Sequence, residues 1–269
     1  MAWGRDVLRD WRRAAELYGD ACAGGEGQGC LRLGRMHIDG DAEERGVPFD
    51  SAAAAGWLLR GCDQGAMEGC VELAAMYLAK DSVVPDVTPT GPRHDPQRAL
   101  TLLSRACDGG NAGGCTDLGT LYRDGTGVTA DTLRAVSLFQ GACDAGDMAG
   151  CAHLGEAYAS GSGVPRDPAR AATLYEQACE GSMLGCSNLA GLLLDPTHGE
   201  PNPDRAVELY QKACDGTMEM DEGSPPLGLA CYRLGDVLAT GNGVERDVFR
   251  ASRLFRRACR LGVQEACGR

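Results

Sequence analysis

Fourteen cysteines fall into seven pairs, and five of the pairs share one spacing, C-x7-C. These are Cys22 with Cys30, Cys62 with Cys70, Cys107 with Cys115, Cys143 with Cys151, and Cys259 with Cys267. Cys179 with Cys186 is one residue shorter, and Cys214 with Cys231 carries a nine-residue insert. Paired thiols can ligate zinc, close disulfides, or sit in a core as free thiols. Structural zinc sites favour cysteines two to four residues apart, and no C-x-x-C occurs here. The same absence disfavours a thioredoxin-type exchange site. A disulfide needs Cα atoms roughly 5.5 Å apart, which two helices joined by a tight loop provide. Recurrence of the pairing speaks for seven bridges; zinc and free thiols remain the alternatives at this level.

Other chemistry is thinly represented. No S-x-x-K, S-D-N or K-T-G marks a serine β-lactamase. The histidines are scattered: His37 at a core or boundary position, His153 on a surface, His94 and His198 in loops between repeats. The G-x-G-V turns recur with the repeat and precede helix caps, so they are structural turns rather than phosphate loops. No catalytic residue, metal ligand or cofactor is assigned.

The elements that place the cysteines repeat along the chain. Twelve residues before each first cysteine stands Asp10, Asp50, Asp95, Asp131, Asp167, Asn202 or Asp247, all good N-cap residues. Pro96, Pro168 and Pro203 follow at the first helical position. Eight before is always Ala, and nine before is Arg in six units: Arg13, Arg98, Arg134, Arg170, Arg205 and Arg250. Four before is Tyr18, Leu58, Leu103, Phe139, Tyr175, Tyr210 or Phe255. These apolar offsets share one helical face and define helix A, about twelve to fourteen residues long. Glycine then ends helix A, as at Gly65, Gly110, Gly146 and Gly262.

The second cysteine opens helix B. Three residues after it is Leu; four after is always small, as Gly34, Ala74, Gly119, Gly155, Ala190 or Gly235. Glycine inside a helix costs about 1 kcal/mol against Ala, so its recurrence implies close helix contact. First cysteines are spaced 40, 45, 36, 36, 35 and 45 residues apart. Hairpins of this size cannot bury their apolar stripes alone and must stack.

D-x-x-R-A-x-x-L-[YF]-x-x-A-C followed by G-C-x-x-L-G-x-x-Y-x-x-G-x-G-V-x-x-D resembles the Sel-one-like repeat (SLR), a relative of the tetratricopeptide repeat, and the paired cysteines resemble its Hcp-type cysteine-rich subfamily. The resemblance covers Asp10 to Cys267. It implies an all-α, right-handed α/α superhelical solenoid of about seven antiparallel hairpins, with one disulfide per repeat. The expected repeats are 10–46, 50–91, 95–130, 131–166, 167–201, 202–246 and 247–269, the last truncated. The resemblance further implies an adaptor or scaffold; the alternative it carries is a penicillin-binding protein with weak β-lactamase activity.

A net charge of −12 disfavours nucleic acid and anionic membranes as partners. No run of eighteen apolar residues is present, so no membrane insertion is expected. The expected partner is a protein or peptide held in a concave groove by a monomer. Helix A is expected to line that groove, through Thr101, Ser104, Ser137, Gln140, Thr173, Glu176, Glu208 and Gln211, which vary while the core does not. The recurrent Arg is expected to bond between repeats. Insertions at Lys80–His94 and Thr217–Gly228 are expected to protrude as loops. The arginine-rich last helix (Arg246, Arg250, Arg253, Arg256, Arg257, Arg260) is expected to be a solvated cap. Seven bridges require an oxidising space, periplasmic or extracellular, although no apolar leader is visible at the N-terminus.

Overall fold

The computed structural model describes residues 11–39, 48–79, 93–216 and 225–269. Within them the chain is helical and has no strand. The A helices are α1 (Trp11–Ala23), α3 (Ser51–Asp63), α5 (Pro96–Asp108), α7 (Thr132–Asp144), α9 (Pro168–Ala178), α11 (Pro203–Asp215) and α13 (Val248–Arg260). The B helices are α2 (Gly27–Ile38), α4 (Met67–Leu78), α6 (Ala112–Asp124), α8 (Met148–Ser160), α10 (Met183–Leu194) and α12 (Pro225–Thr240). Short 3-10 turns follow at Pro196–His198 and Gln264–Ala266.

The caps explain why the A helices begin where they do. Asp50 accepts from the amides of Ala52 and Ala53, and Asp95, Asp167, Asn202 and Asp247 each accept from the amide three residues on. Pro96, Pro168 and Pro203 occupy the first turn, where no N–H is missed. Asp10 and the Gly46-Val47 turn lie outside the described residues. At the other end Gly25, Gly65, Gly110, Gly146 and Gly262 have φ between 85° and 93°. That left-handed conformation lets the chain reverse into the next element.

Cα packing divides the chain into two compact units, 1–131 and 132–269. In the first, α1 to α5 each pack on the next helix, and α5 packs on α6; in the second, α7 to α13 pack in the same serial way. The predicted core positions are filled. Ala54, Ala99, Ala135, Ala171, Ala206 and Ala251 are buried, as are Leu33, Leu73, Leu118, Leu154, Leu189 and Leu234. Of the residues four before the first cysteine, Tyr18 alone is exposed, at 37%.

Recurrent glycine in helix B has the expected cause. A Cβ at Gly34 would meet Leu58 at 2.9 Å, one at Gly155 the Tyr175 ring at 2.7 Å, and one at Gly235 the Phe255 ring at 2.8 Å. Each of these is the large residue on the A helix of the following repeat. A second glycine role is new. The residue just before the second cysteine (Gly29, Gly69, Gly114, Gly185) sits where A and B of one hairpin touch; a Cβ there would lie 2.5 to 2.8 Å from the A helix. By contrast, a Cβ at Gly141 in α7 would meet nothing within 4 Å. Gly141→Ala is therefore expected to stabilise by about 0.5–1 kcal/mol, read as a higher urea midpoint.

The insertions are partly corrected. Residues 80–92 and 217–224 lie outside the described set. Residues 225–228 are not loop: they form the first turn of α12, Leu227 is buried, and Gly228 packs beside Leu261 and Val263. Proline is at home in a first helical turn, and Leu227 supplies an apolar anchor, so the helix starts earlier than the composition suggests.

Candidate functional site

Every expected cysteine pair is bonded. Cys22 is joined to Cys30, Cys62 to Cys70, Cys107 to Cys115 and Cys143 to Cys151. The two irregular pairs close as well, Cys179 with Cys186 and Cys214 with Cys231, and so does the last, Cys259 with Cys267. Their Cα separations run from 4.4 to 5.0 Å, and no free cysteine remains. Each bridge joins the C-terminal end of an A helix to the start of the following B segment. Among the described residues no cluster of His, Cys, Asp and Glu is arranged to hold a metal ion.

Exposure separates the bridges. Most of the cysteines are buried, Cys107 and Cys115 are half-buried, and in the last pair Cys259 is half-buried and Cys267 exposed. Access limits thiol exchange. Graded reduction with alkylation and mass spectrometry is therefore expected to open Cys259–Cys267 before any other bridge.

Four of the recurrent arginines bond between repeats, while Arg13 pairs with Glu16 on its own helix. Arg205 reaches Glu176 at 3.0 Å and Arg250 reaches Gln211 at 2.6 Å. Arg98 donates to the Tyr77 hydroxyl, and Arg170 lies over the Tyr158 ring, 4.4 Å from its centroid. A second basic ladder gave no sequence signal on its own. Arg105 donates to the Cys62 carbonyl and pairs with Asp63; Lys212 donates to the Cys179 carbonyl; Arg257 pairs with Asp215. These cations complement the negative C-terminal ends of preceding A helices.

These bonds consume part of the expected A-helix face. Glu176 and Gln211 are acceptors in the ladder, and Thr101 and Thr173 donate back to the carbonyls of Gln97 and Ala169. Thr101, Ser137, Thr173, Glu176 and Glu208 are exposed, while Ser104, Gln140 and Gln211 are half-buried. Of the arginine-rich end, Arg250 and Arg257 serve the ladders, and Arg246 precedes α13 and donates to the Ala239 carbonyl. Arg253 and Arg260 are exposed, and so is Phe249, at 85%.

The B helices also pack on one another from repeat to repeat. In the first unit α4 packs directly on α6; in the second α8 packs on α10 and α10 on α12. Successive A helices have no comparable packing and are bridged by long side chains.

On the B helices the outward positions are two and five residues after the second cysteine. In the second unit they are His153 and Glu156 on α8, Asn188 and Gly191 on α10, and Arg233 and Asp236 on α12. His153 is not simply a surface residue: its side chain is 18% exposed, its Nδ1 lies 3.5 Å from Glu156, and its ring stacks on Phe139 at 5.1 Å. His198, in the turn after α10, is held between Asp195 at 2.9 Å and Arg166 at 2.6 Å. His37, half-buried, lies 3.3 Å from the Pro48 carbonyl; His94 is exposed just before α5.

Two tyrosines lie beneath this row. Burial raises the Tyr175 phenol, with Glu156 adding to the shift and Arg233 opposing it. Burial likewise raises Tyr210, against the opposing positive charge of nearby Arg233. Both therefore stay neutral hydroxyls at physiological pH. Asp236 is paired with Arg269 at 2.8 Å, and Arg269 also donates to the Tyr232 hydroxyl.

Stacked helical hairpins with a cystine in each define a repeat scaffold whose variable side chains sit on a fixed frame. The chain belongs to the Sel1 repeat family: the family model matches residues 27–65, 88–111, 112–147, 149–183, 184–217 and 228–263. Five of these matches begin at or within a B helix and run through the next A helix, so the family's unit contains the same helices cut in a different phase. A protective antigen of uropathogenic Escherichia coli strains, displaying an SLR fold, is 25% identical with a TM-score of 0.66; the match covers 96% of this chain and 51% of that one. The chain thus spans about half the length of that protein. A Sel1 repeat protein from Oxalobacter formigenes is 20% identical with a TM-score of 0.73, covering 93% and 96%. Helicobacter pylori cysteine rich protein B is 25% identical with a TM-score of 0.41, covering 56% and 99%. No curated protein sequence matches the chain.

Repeats of this family are generally protein-interaction scaffolds. Seven disulfides suit an oxidising, non-cytoplasmic compartment, and among the described residues no helix is long and apolar enough to cross a membrane.

Proposed function

We propose that the chain is a non-catalytic scaffold that binds a protein or peptide on the exposed face of its B helices, working as a monomer in the periplasm or outside the cell. One observation carries this reading. The position two after the second cysteine is Arg32, Glu72, Asp117, His153, Asn188 or Arg233, while the Leu next to it is buried in every unit. Chemical variety on an unvarying frame is what recognition requires. The bridges hold that frame rigid, which lowers the ordering cost of binding.

The test uses the oxidised chain as bait in periplasmic extract and culture supernatant, beside a variant with Asn188→Ala and Arg233→Ala. A partner retained by the parent and lost by the variant, at equal helical content, is the expected result. Equal capture by both, or turnover of a chromogenic cephalosporin well above a serum-albumin control, would replace this reading; the second result would favour a β-lactam hydrolase.

A further inference from the structure

We propose that α13 carries a docking surface separate from the B helices: a stripe of Phe249, Arg253, Arg256 and Arg260 that receives one acidic helix of a partner protein.

The four residues are four, three and four positions apart, so they share one face of α13. All four are exposed, Phe249 at 85%. Arg250 and Arg257, on the flank toward α11, are spent on Gln211 and Asp215. Among the described residues no carboxylate pairs with Arg253, Arg256 or Arg260. Arg256 donates to the Ser252 carbonyl of its own helix at 3.4 Å.

The repeat supplies its own control. The three arginines stand six and three residues before the first cysteine of their unit and one after it. In the six earlier units none of these positions holds a cation, and the one after the cysteine is Asp63, Asp108, Asp144, Glu180 or Asp215 in five. Only on α13 is the face reversed to positive. Helix electrostatics does not demand this. A cation is favoured in the last turn, which accounts for Arg260 but not for Arg253 and Arg256. Solubility does not demand it either, since a phenyl ring in water adds none. An exposed apolar residue at the Phe249 register is not special in itself, because Leu133 on α7 is 71% exposed; its combination with three arginines is.

Charge and width define the occupant. The chain carries −12, so the arginines form an isolated positive strip. Asp204, Glu208 and Asp215 are exposed on α11, the A helix before it. A broad anionic surface, lipid or polyphosphate, would be repelled by those acids. A helix, about 10 Å wide, meets only the strip. Carboxylates three and four positions apart on a helix advance with the same rise as the arginines, about 1.5 Å per residue. Same-face side chains of an extended strand come about 6.6 Å apart and fall out of step. An apolar side chain on the incoming helix covers Phe249 at the end of the row.

The experiment titrates the oxidised chain with alanine-based helical peptides carrying one leucine and three glutamates on a single face, spaced like the stripe and built in both directions. Peptides of equal composition with the glutamates spread around the helix serve as the comparison. The single-face peptides are expected to bind, and to bind more weakly as salt screens the pairs. Combining Arg253→Glu, Arg256→Glu and Arg260→Glu should weaken them about 10–100-fold, and Phe249→Ser by a smaller factor. Arg12→Glu, at an exposed arginine of α1, should leave them unchanged. Where the triple reversal lowers helical content, Arg256→Gln alone decides, with a loss of about threefold expected. No binding of any single-face peptide, equal binding of the spread peptides, or parental binding by the variants overturns the proposal. Tighter binding to phosphatidylglycerol vesicles than to peptide overturns it in favour of a lipid surface. Self-association abolished by the triple reversal overturns it in favour of a second copy of the chain. The bait experiment with Asn188 and Arg233 probes the B helices instead, so the two readings fail separately.

Discussion

Replacing both Cys214 and Cys231 by Ala is expected to lower the stability of the 132–269 unit by about 3 kcal/mol or more. The two residues are separated by 17 positions, the longest span of the seven bridges, and both are fully buried. In the chain-entropy model a loop of that span contributes about 3 kcal/mol, against about 2.5 kcal/mol for the eight-residue separations. The bridge also closes a hairpin interrupted by extra residues, so without it the ends of α11 and α12 must find each other through a longer loop. A hairpin in the interior of a stack supports neighbours on both sides, and its loosening is felt at two interfaces. A melting temperature lowered by about 10 °C or more is the expected reading. A shift under about 2 °C would mean that helix packing alone closes the hairpin. Full reduction removes the constraint from every repeat and should leave little cooperative helical structure at about 37 °C.

Gly185→Ala should destabilise by about 3 kcal/mol, although alanine is the better helix former by about 1 kcal/mol. The added methyl would lie 2.5 Å from the Ala178 Cβ and 2.6 Å from the Ala178 carbonyl carbon. Backbone cannot step aside as a flexible side chain can. Relief requires α9 and α10 to part, and the Cys179–Cys186 bridge ties them together at that end. Overpacking of this kind outweighs propensity. Gly155→Ala meets only the edge of the Tyr175 ring at 2.7 Å, so it should cost less, since a ring can shift. Urea unfolding followed by far-ultraviolet circular dichroism orders the three variants: Gly141→Ala above the parent, Gly155→Ala below it, and Gly185→Ala lowest. Any other order would show that the glycines do not mark the contacts described.

Much of the frame is legible in the residues. Asp50, Asp95, Asp167, Asn202 and Asp247 announce helix starts because a short acceptor side chain satisfies the first free amides. Gly65 and Gly110 announce reversals because the left-handed turn costs glycine least. The burial of Ala99, Ala171 and Ala206 follows from their helical spacing. Other features escaped. The stacking of His153 on Phe139 depends on which face of α8 meets α7. The early start of α12 depends on Leu227 finding the core, which outweighs the loop-like composition of its first residues. The basic ladder of Arg105, Lys212 and Arg257 is invisible in sequence because its acceptors belong to another repeat, and two of them are backbone carbonyls.

The amino-acid sequence by itself determined the repeat, most of the A-helix starts, the cysteine spacing and the family resemblance, because each depends on contacts within one hairpin or on a period along the chain. Only the tertiary structure decided which helices pack on one another between repeats and which polar side chains bond there. That choice rests on how closely helices of different repeats approach. Volumes at Gly34, Gly155 and Gly235, and the reach of Arg205 and Arg250, set those distances only after the hairpins have stacked.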